Sequence, residues 1–393
     1  MRLKVNLLMV IFFCFNAVSF AQPVAVPWWL SLEQGKQNFR AGEYGAALIL
    51  FEDARRDRRA MYEQMERDFI TFLSINEVRR IGDSLDRVER YSYERRYTSA
   101  SKALEELYYR IPKTTFNNSA TSALAAFDRL KNYPEAEYWI GEVYRVEGEF
   151  PLALTQYRRA YSMRETLEDP GFSTTLQYKI SAILRTRQEY VEMERLYLSI
   201  INELDTLWAN ASILEANNSS NGASTTPAPY AQASASFARS AMTRTLTEHG
   251  IDRFMELYRY NNGIVEQAHR LLGFYYAAQG RSAAEQHLMF SFLIQNTIII
   301  DEVKRRRYDF TFSDLSALLR EINRSELLIS YINEVEYFKT IYYFGNSLYR
   351  NGKTSVARTL WEFLASQPQS GEWQNRAAMQ LRNPRPEQVV EMP

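Results

Sequence analysis

Glycine and proline are scarce, 15 and 12 among 393 residues. Chains of tight β-hairpins, collagen-like chains and largely disordered chains need more of both, so these classes are set aside. Cysteine occurs once, as Cys14. Beyond that position there is no disulfide framework, no thiolate metal site and no cysteine nucleophile. An excess of charge of one sign is also missing: 47 Lys and Arg balance 47 Asp and Glu. A duplex nucleic-acid partner normally requires a basic surplus, so none is expected. Long apolar runs are absent after the first 20 or so residues. The nearest, Leu288 to Ile300, contains Gln295 and Asn296 and falls short of the roughly 20 residues that cross a bilayer. It is expected to be a buried helix. Aromatic residues, in contrast, make up 14% of the chain, with 26 Tyr and 22 Phe, enough to build cores without disulfides.

The first 21 residues have the pattern of an export signal. Arg2 and Lys4 are positive, Val5 to Phe15 is apolar apart from Asn6, and Ser19 and Ala21 stand at −3 and −1 of a cleavage site before Gln22. Cys14 follows Phe13, whereas a lipidated cysteine follows a small residue. Cys14 is therefore read as part of the apolar stretch that cleavage removes. Loss of Arg2 and Lys4 leaves 45 basic against 47 acidic residues, a formal charge of −2. Retention of this stretch as an anchor is the alternative.

A spacing recurs along the rest of the chain. After Gly141 come Tyr144 at +3, Gly148 at +7, Ala153 at +12, Tyr157 at +16 and Ala160 at +19. Gly35, Gly42, Ala47, Phe51 and Ala54 keep the same offsets, as do Gly345, Gly352, Ala357 and Trp361. Gly273, Tyr276 and Gly280 match the first half, with Ala284 one residue early. A weaker unit contains Tyr178 and Leu184, then Tyr190, Tyr197 and Ile200. The first glycine lets one helix approach the next, and the second permits a left-handed turn between them. This pattern resembles the tetratricopeptide repeat (TPR) family over more than half of the chain. The spacing is imperfect: Gly35 to Gly141 is 106 residues and Gly273 to Gly345 is 72, longer than whole multiples of a 34-residue unit. Some helices must be long or some repeats degenerate.

The resemblance implies an all-α fold, a right-handed α-solenoid of helix-turn-helix repeats in two arrays. The expected division is a signal peptide at 1–21, an N-terminal array at 22–208, a flexible polar linker or long loop at 209–230, a C-terminal array with a capping helix at 231–383, and a mobile tail at 384–393. In such solenoids the first helix of each repeat lines the concave face. Carried onto Gly35, the inward positions are Trp29, Leu32, Lys36, Phe39 and Arg40. Onto Gly141 they are Glu135, Tyr138, Glu142, Arg145 and Val146, and the weaker unit adds Tyr178 and Arg185. Onto Gly273 they are Gln267, Arg270, Phe274, Ala277 and Ala278, and onto Gly345 they are Lys339, Tyr342, Asn346, Tyr349 and Arg350. Tyr, Phe and Arg dominate binding hot spots, although the same residues also serve to pack neighbouring repeats. Glu135 and Glu142 among the arginines do not match the basic clamp of family members that hold a C-terminal carboxylate.

Catalytic chemistry is not visible. His269 and His287 fall on paired helices and could meet, but no third ligand stands at metal spacing. No phosphate loop, dinucleotide fingerprint, nucleophile elbow or zinc-protease helix occurs. Arg55–Arg59 reads as a charged helix face with i,i+4 pairs, and Lys304–Arg307 as a solvated helix end, with an anionic contact as the alternative. The expectation is an exported, non-enzymatic scaffold without cofactor or metal, periplasmic by preference, binding protein or peptide segments in its concave groove during envelope assembly. Peripheral association with the envelope is left open. The rivals are a surface adhesin or secreted effector on the same fold, and a glycan-cleaving envelope enzyme on a helical solenoid. Mass spectrometry of the native protein should find Gln22 as the first residue; a mass that includes residues 1–21 would show a retained anchor instead.

Overall fold

The computed structural model describes residues 27–71, 127–205 and 233–387, together with 87, 88, 90, 91, 99, 102 and 103. These residues are all-helical: fourteen α-helices, two short 3₁₀ turns and no strand. The chain divides into two compact units, with the boundary between Arg187 and Gln188. The expected signal segment and the polar stretch 209–230 lie outside the described residues.

In the first unit, α1 (Trp28–Arg40) packs on α2 (Tyr44–Thr71), α2 on α3 (Pro134–Val146), α3 on α4 (Phe150–Ser162) and α4 on α5 (Phe172–Thr186). Pro27 stands before α1 and Pro134 opens α3, where a proline loses no hydrogen bond the helix needs. The core joins Leu32 of α1, Ala47, Phe51 and Ala54 of α2, and Ala136, Ile140 and Val143 of α3. Helix α2 has 28 residues, which accounts for part of the excess length between Gly35 and Gly141.

The second unit begins with α6 (Tyr190–Leu204), which packs on α8 (Gly263–Ala278). Between them in sequence is α7 (Ala233–Leu257), broken at Gly250. Helix α8 packs on α9 (Ala284–Arg306), α9 on α12 (Tyr337–Arg350), α12 on α13 (Thr354–Ala365) and α13 on α14 (Glu372–Arg382). Two short helices, α10 (Leu315–Ile322) and α11 (Glu326–Glu334), lie between α9 and α12. They are capped by the side chains of Asp314 and Ser325, whose oxygens accept otherwise unsatisfied amide protons. They and the 23 residues of α9 take up the extra length between Gly273 and Gly345. The run Leu288–Ile300 is buried within α9, as its composition required.

Four helix pairs meet at a glycine. A β-carbon on Gly35 would lie 2.5 Å from the Phe51 ring, and one on Gly141 would lie 2.7 Å from Tyr157. One on Gly273 would lie 2.6 Å from Leu288, and one on Gly345 would lie 2.8 Å from Trp361. Phe51, Tyr157, Leu288 and Trp361 are fully buried. The turns repeat as well: Gly42, Gly148, Gly280 and Gly352 have φ between 70° and 84°, and Gln188 has φ 61°. Glycine adopts that conformation freely, whereas Gln188 bears a cost of about 1 kcal/mol or more.

These contacts make the glycines unequal. Gly141→Ala should destabilise the protein by about 1–3 kcal/mol, the usual cost of overpacking. Gly45 is helical and has nothing within 4 Å of a β-carbon, so Gly45→Ala should stabilise by up to about 1 kcal/mol. Urea denaturation of the two variants checks the contrast; equal effects would remove the close-approach role of Gly141.

Candidate functional site

The inward positions inferred from the resemblance fall into three physical groups. On α1, Trp29 is 53% exposed and Arg40 is exposed. Lys36 pairs with Glu33 at 2.6 Å, and its ammonium lies 5.9 Å from the Trp139 ring centroid. Phe39 is turned into the core, edge-on to Tyr44 and Trp139. Trp29 and Arg40 therefore remain available to a partner, and Phe39 is a packing residue.

The second group surrounds Glu142 in the first unit. Its carboxylate is buried on α3 and accepts from Tyr157 of α4 at 2.5 Å and from Arg145 at 2.8 Å. Lys179 of α5 lies 2.8 Å away. Burial would raise the carboxyl's pKa, but the hydrogen bonds from Arg145, Lys179 and Tyr157 outweigh it and hold Glu142 below its ordinary value. Burial, reinforced by Glu142, pushes the phenols of Tyr157 and Tyr138 up. Tyr138 is itself buried, 4.7 Å edge-on from Phe172 and packed against Tyr157. Tyr178 and Arg185 on α5 are half-buried. Glu135 accepts the Glu168 amide, and burial raises its carboxyl above the ordinary range.

The third group lies on α8 and α12. Arg270 is buried between Glu266 at 3.2 Å and Glu336 at 2.6 Å. Phe274 has no exposed surface; the Tyr343 ring is edge-on to it, and the Lys339 ammonium lies 5.1 Å from its centroid. Tyr342 is buried against Tyr343 and Trp373. Tyr349 and Arg350 remain half-exposed and contact the segment after α14. The expectation of an open inner wall is thus corrected for Tyr138, Glu142, Arg270, Phe274 and Tyr342. They are interior residues, because the adjacent helix supplies the ring or charge that each would otherwise seek from a partner.

Three features escaped the sequence reading. Ser181 is fully buried seven residues before Gln188, so a serine and a glutamine stand where other units have glycines. Arg58, inside the basic run of α2, is buried rather than solvated. Its guanidinium lies 4.4 Å from the Tyr133 ring and 4.6 Å from Trp28, and its Nε donates to the Leu130 carbonyl. The neighbouring Arg59–Glu63 is the i,i+4 surface pair expected, and Arg56 pairs with Asp53 at i,i+3. The run at α9's end is also tied down, by Arg305 and Arg306 to Glu302 and by Arg307 to Glu321.

The third feature is a buried polar chain. His269 and His287 do meet, with their Nδ1 atoms 3.0 Å apart, and His269 Nε2 lies 2.9 Å from Asp205 Oδ2. Tyr260 donates to the other oxygen of Asp205 at 2.8 Å. Asp205 and His269 have no exposed surface. Asp205 follows the last residue of α6, so this chain fastens the end of α6 to α8. No group of three or more metal-binding side chains occurs among the described residues. No described helix is long and apolar enough to cross a membrane.

Comparison with known proteins adds a relative without a role. The chain is 24% identical over 359 residues, 90% of its length and 89% of the relative's, to an uncharacterized protein of Treponema pallidum (strain Nichols). No family model matches the chain.

The Glu142 cluster predicts a pH signature. A depressed carboxyl pKa stabilises the fold above the group's unfolded value, ordinarily 4.5, and that contribution is lost as pH falls through the folded value. Glu142→Gln should therefore lower stability by about 1–3 kcal/mol at neutral pH. The gap to wild type should close as the medium is acidified below pH 4.5. Denaturation curves across pH check this; a constant gap would mean that charge is not what Glu142 contributes.

Proposed function

We propose that this protein is an exported, non-enzymatic scaffold that holds protein or peptide segments against the concave face of a TPR-like right-handed solenoid, in the setting of envelope assembly. One observation carries the reading: four helix pairs close on a glycine against a large buried residue, and each turn between them has a glycine in left-handed conformation. Helix pairs of that kind stack on one another and leave one row of first helices facing inward. Function then depends on the first-helix residues that remain uncovered. Trp29 and Arg40 on α1 are such residues, and both types dominate binding hot spots. Export rests on the positive, apolar and small-residue order of the first 21 residues.

Site-specific photo-crosslinking in cells tests the scaffold role. A benzophenone side chain at Trp29 or Arg40 should give adducts with another polypeptide. The same group at Ile49, which is 61% exposed on the second helix of that pair, should give none. No adduct from α1, or equal adducts from Ile49, would remove the inward-face assignment.

A further inference from the structure

After α14 the chain does not run free. The residues at 384–387, expected to begin a mobile tail, turn back across α12. Pro384 O accepts from the Tyr349 hydroxyl at 3.3 Å, and the Arg385 amide donates to Gln380 Oε1 at 3.0 Å. The contacts converge on Glu387. Asn346 Nδ2 donates to one carboxylate oxygen at 2.6 Å, and Arg376 donates to the other. Arg350 Nη2 donates to the Glu387 carbonyl at 2.9 Å. Asn346 and Arg350 are among the positions that the resemblance turned inward.

The receiving side is also held by contacts that do not involve the segment. Arg376 lies 4.6 Å from the Trp373 ring and 5.0 Å from Tyr342, and also donates to the Tyr343 hydroxyl. Its guanidinium is thus oriented by aromatic residues of α12 and α14. Burial lowers the pKa of Arg376, but the bond to Glu387 outweighs it and the value is raised. A cleft of about 870 Å³ opens beside it, lined by Arg350, Arg376 and Arg382 and by the segment's own Asn383, Arg385, Pro386 and Glu387, the last its one acidic lining residue. The segment's own hold is polar: Arg385 and Pro386 are exposed, and Pro384 and Pro386 have no amide proton to give. One donor-acceptor match is still open, because Asn346 Oδ1 is buried without a hydrogen-bond partner.

We propose that Asn383–Glu387 is a displaceable internal ligand, and that the cleft between α12 and α14 takes in its place an extended segment of another polypeptide bearing a glutamate. Arg376 and Asn346 receive the glutamate side chain, and Arg350 receives its backbone carbonyl. Asn346 Oδ1 is placed to accept an amide proton that the internal segment does not supply. Three arginines outside the segment then face no acidic lining residue, so an incoming acidic segment meets complementary charge. Tethering gives the internal segment a high effective concentration, which an external segment must exceed.

This deepens the binding reading above and is separable from it, since crosslinking at α1 reports on the first unit and the following test on the second. The full chain is titrated, by fluorescence anisotropy, with a labelled peptide having the sequence of residues 383–389. Glu387→Ala should bind it at least tenfold more tightly than wild type, because the competing carboxylate is gone. On that variant, a peptide with glutamine at the position of Glu387 should lose at least tenfold. Adding Arg376→Ala should cancel the gain. Equal affinity of wild type and Glu387→Ala would overturn the proposal, as would equal binding of the glutamine peptide. A large fall in the melting temperature of both Glu387→Ala and Glu387→Gln, without tighter binding, would also overturn it and leave the segment a structural cap.

Discussion

At Gly35, Gly141, Gly273 and Gly345, two helices approach more closely than any side chain at those positions would allow. Each time, a large residue of the following helix occupies the space the missing side chain leaves. The contact fixes three things together: which face of the first helix is buried, the angle at which the second crosses it, and the need for a sharp turn between them. The left-handed glycines at 42, 148, 280 and 352 meet that last need. The other described helices pack on helix pairs made this way.

Charge is used inside the molecule as much as on it. Glu142 ties α3, α4 and α5 together through Tyr157 and Lys179. Glu137 ties α2, α3 and α4 together through Arg55 and Arg159. In the second unit, Glu266 accepts from Arg270, Ser291 and Gln295, and Glu285 from Asn351 and Lys353. Each of these carboxylates is met by donors from neighbouring helices or from the turns between them, which is the condition for tolerating it there. Such ties join particular neighbouring helices. They also explain why residues with the composition of a binding hot spot are found in the interior: an arginine or tyrosine on one helix is answered by the next.

The two units therefore differ in what they leave uncovered. In the first, α1 presents Trp29 and Arg40. In the second, the half-exposed Tyr349 and Arg350 of α12 are engaged by the chain that follows α14. There Glu387 of the same polypeptide is held by Asn346 and Arg376.

The spacing marked Gly141 and Gly345 as points of close helix approach and Gly148 and Gly352 as turns, because a contact that admits only glycine on one side leaves a fixed trace; that Tyr157 and Trp361 are what those glycines meet was supplied by the fold. Where a different residue meets the same need, the trace disappears: Ser181 and Gln188 occupy such places and carry no visible mark. Arg58 looked like one arginine in a solvated run, and only Trp28, Tyr133 and the Leu130 carbonyl, brought up by the fold, make it interior. Asp205, His269 and His287 are spread over more than eighty residues, so their hydrogen-bonded chain could not be read from local pattern. The sequence by itself determined helix type, the pairing of helices at the spaced glycines and the polar interruption of the run Leu288–Ile300, since these depend on periodicity and side-chain size within short windows. Which inward residues are open, which are covered and where Glu387 comes to rest was decided by tertiary structure, since burial depends on atoms that distant segments deliver to the same place.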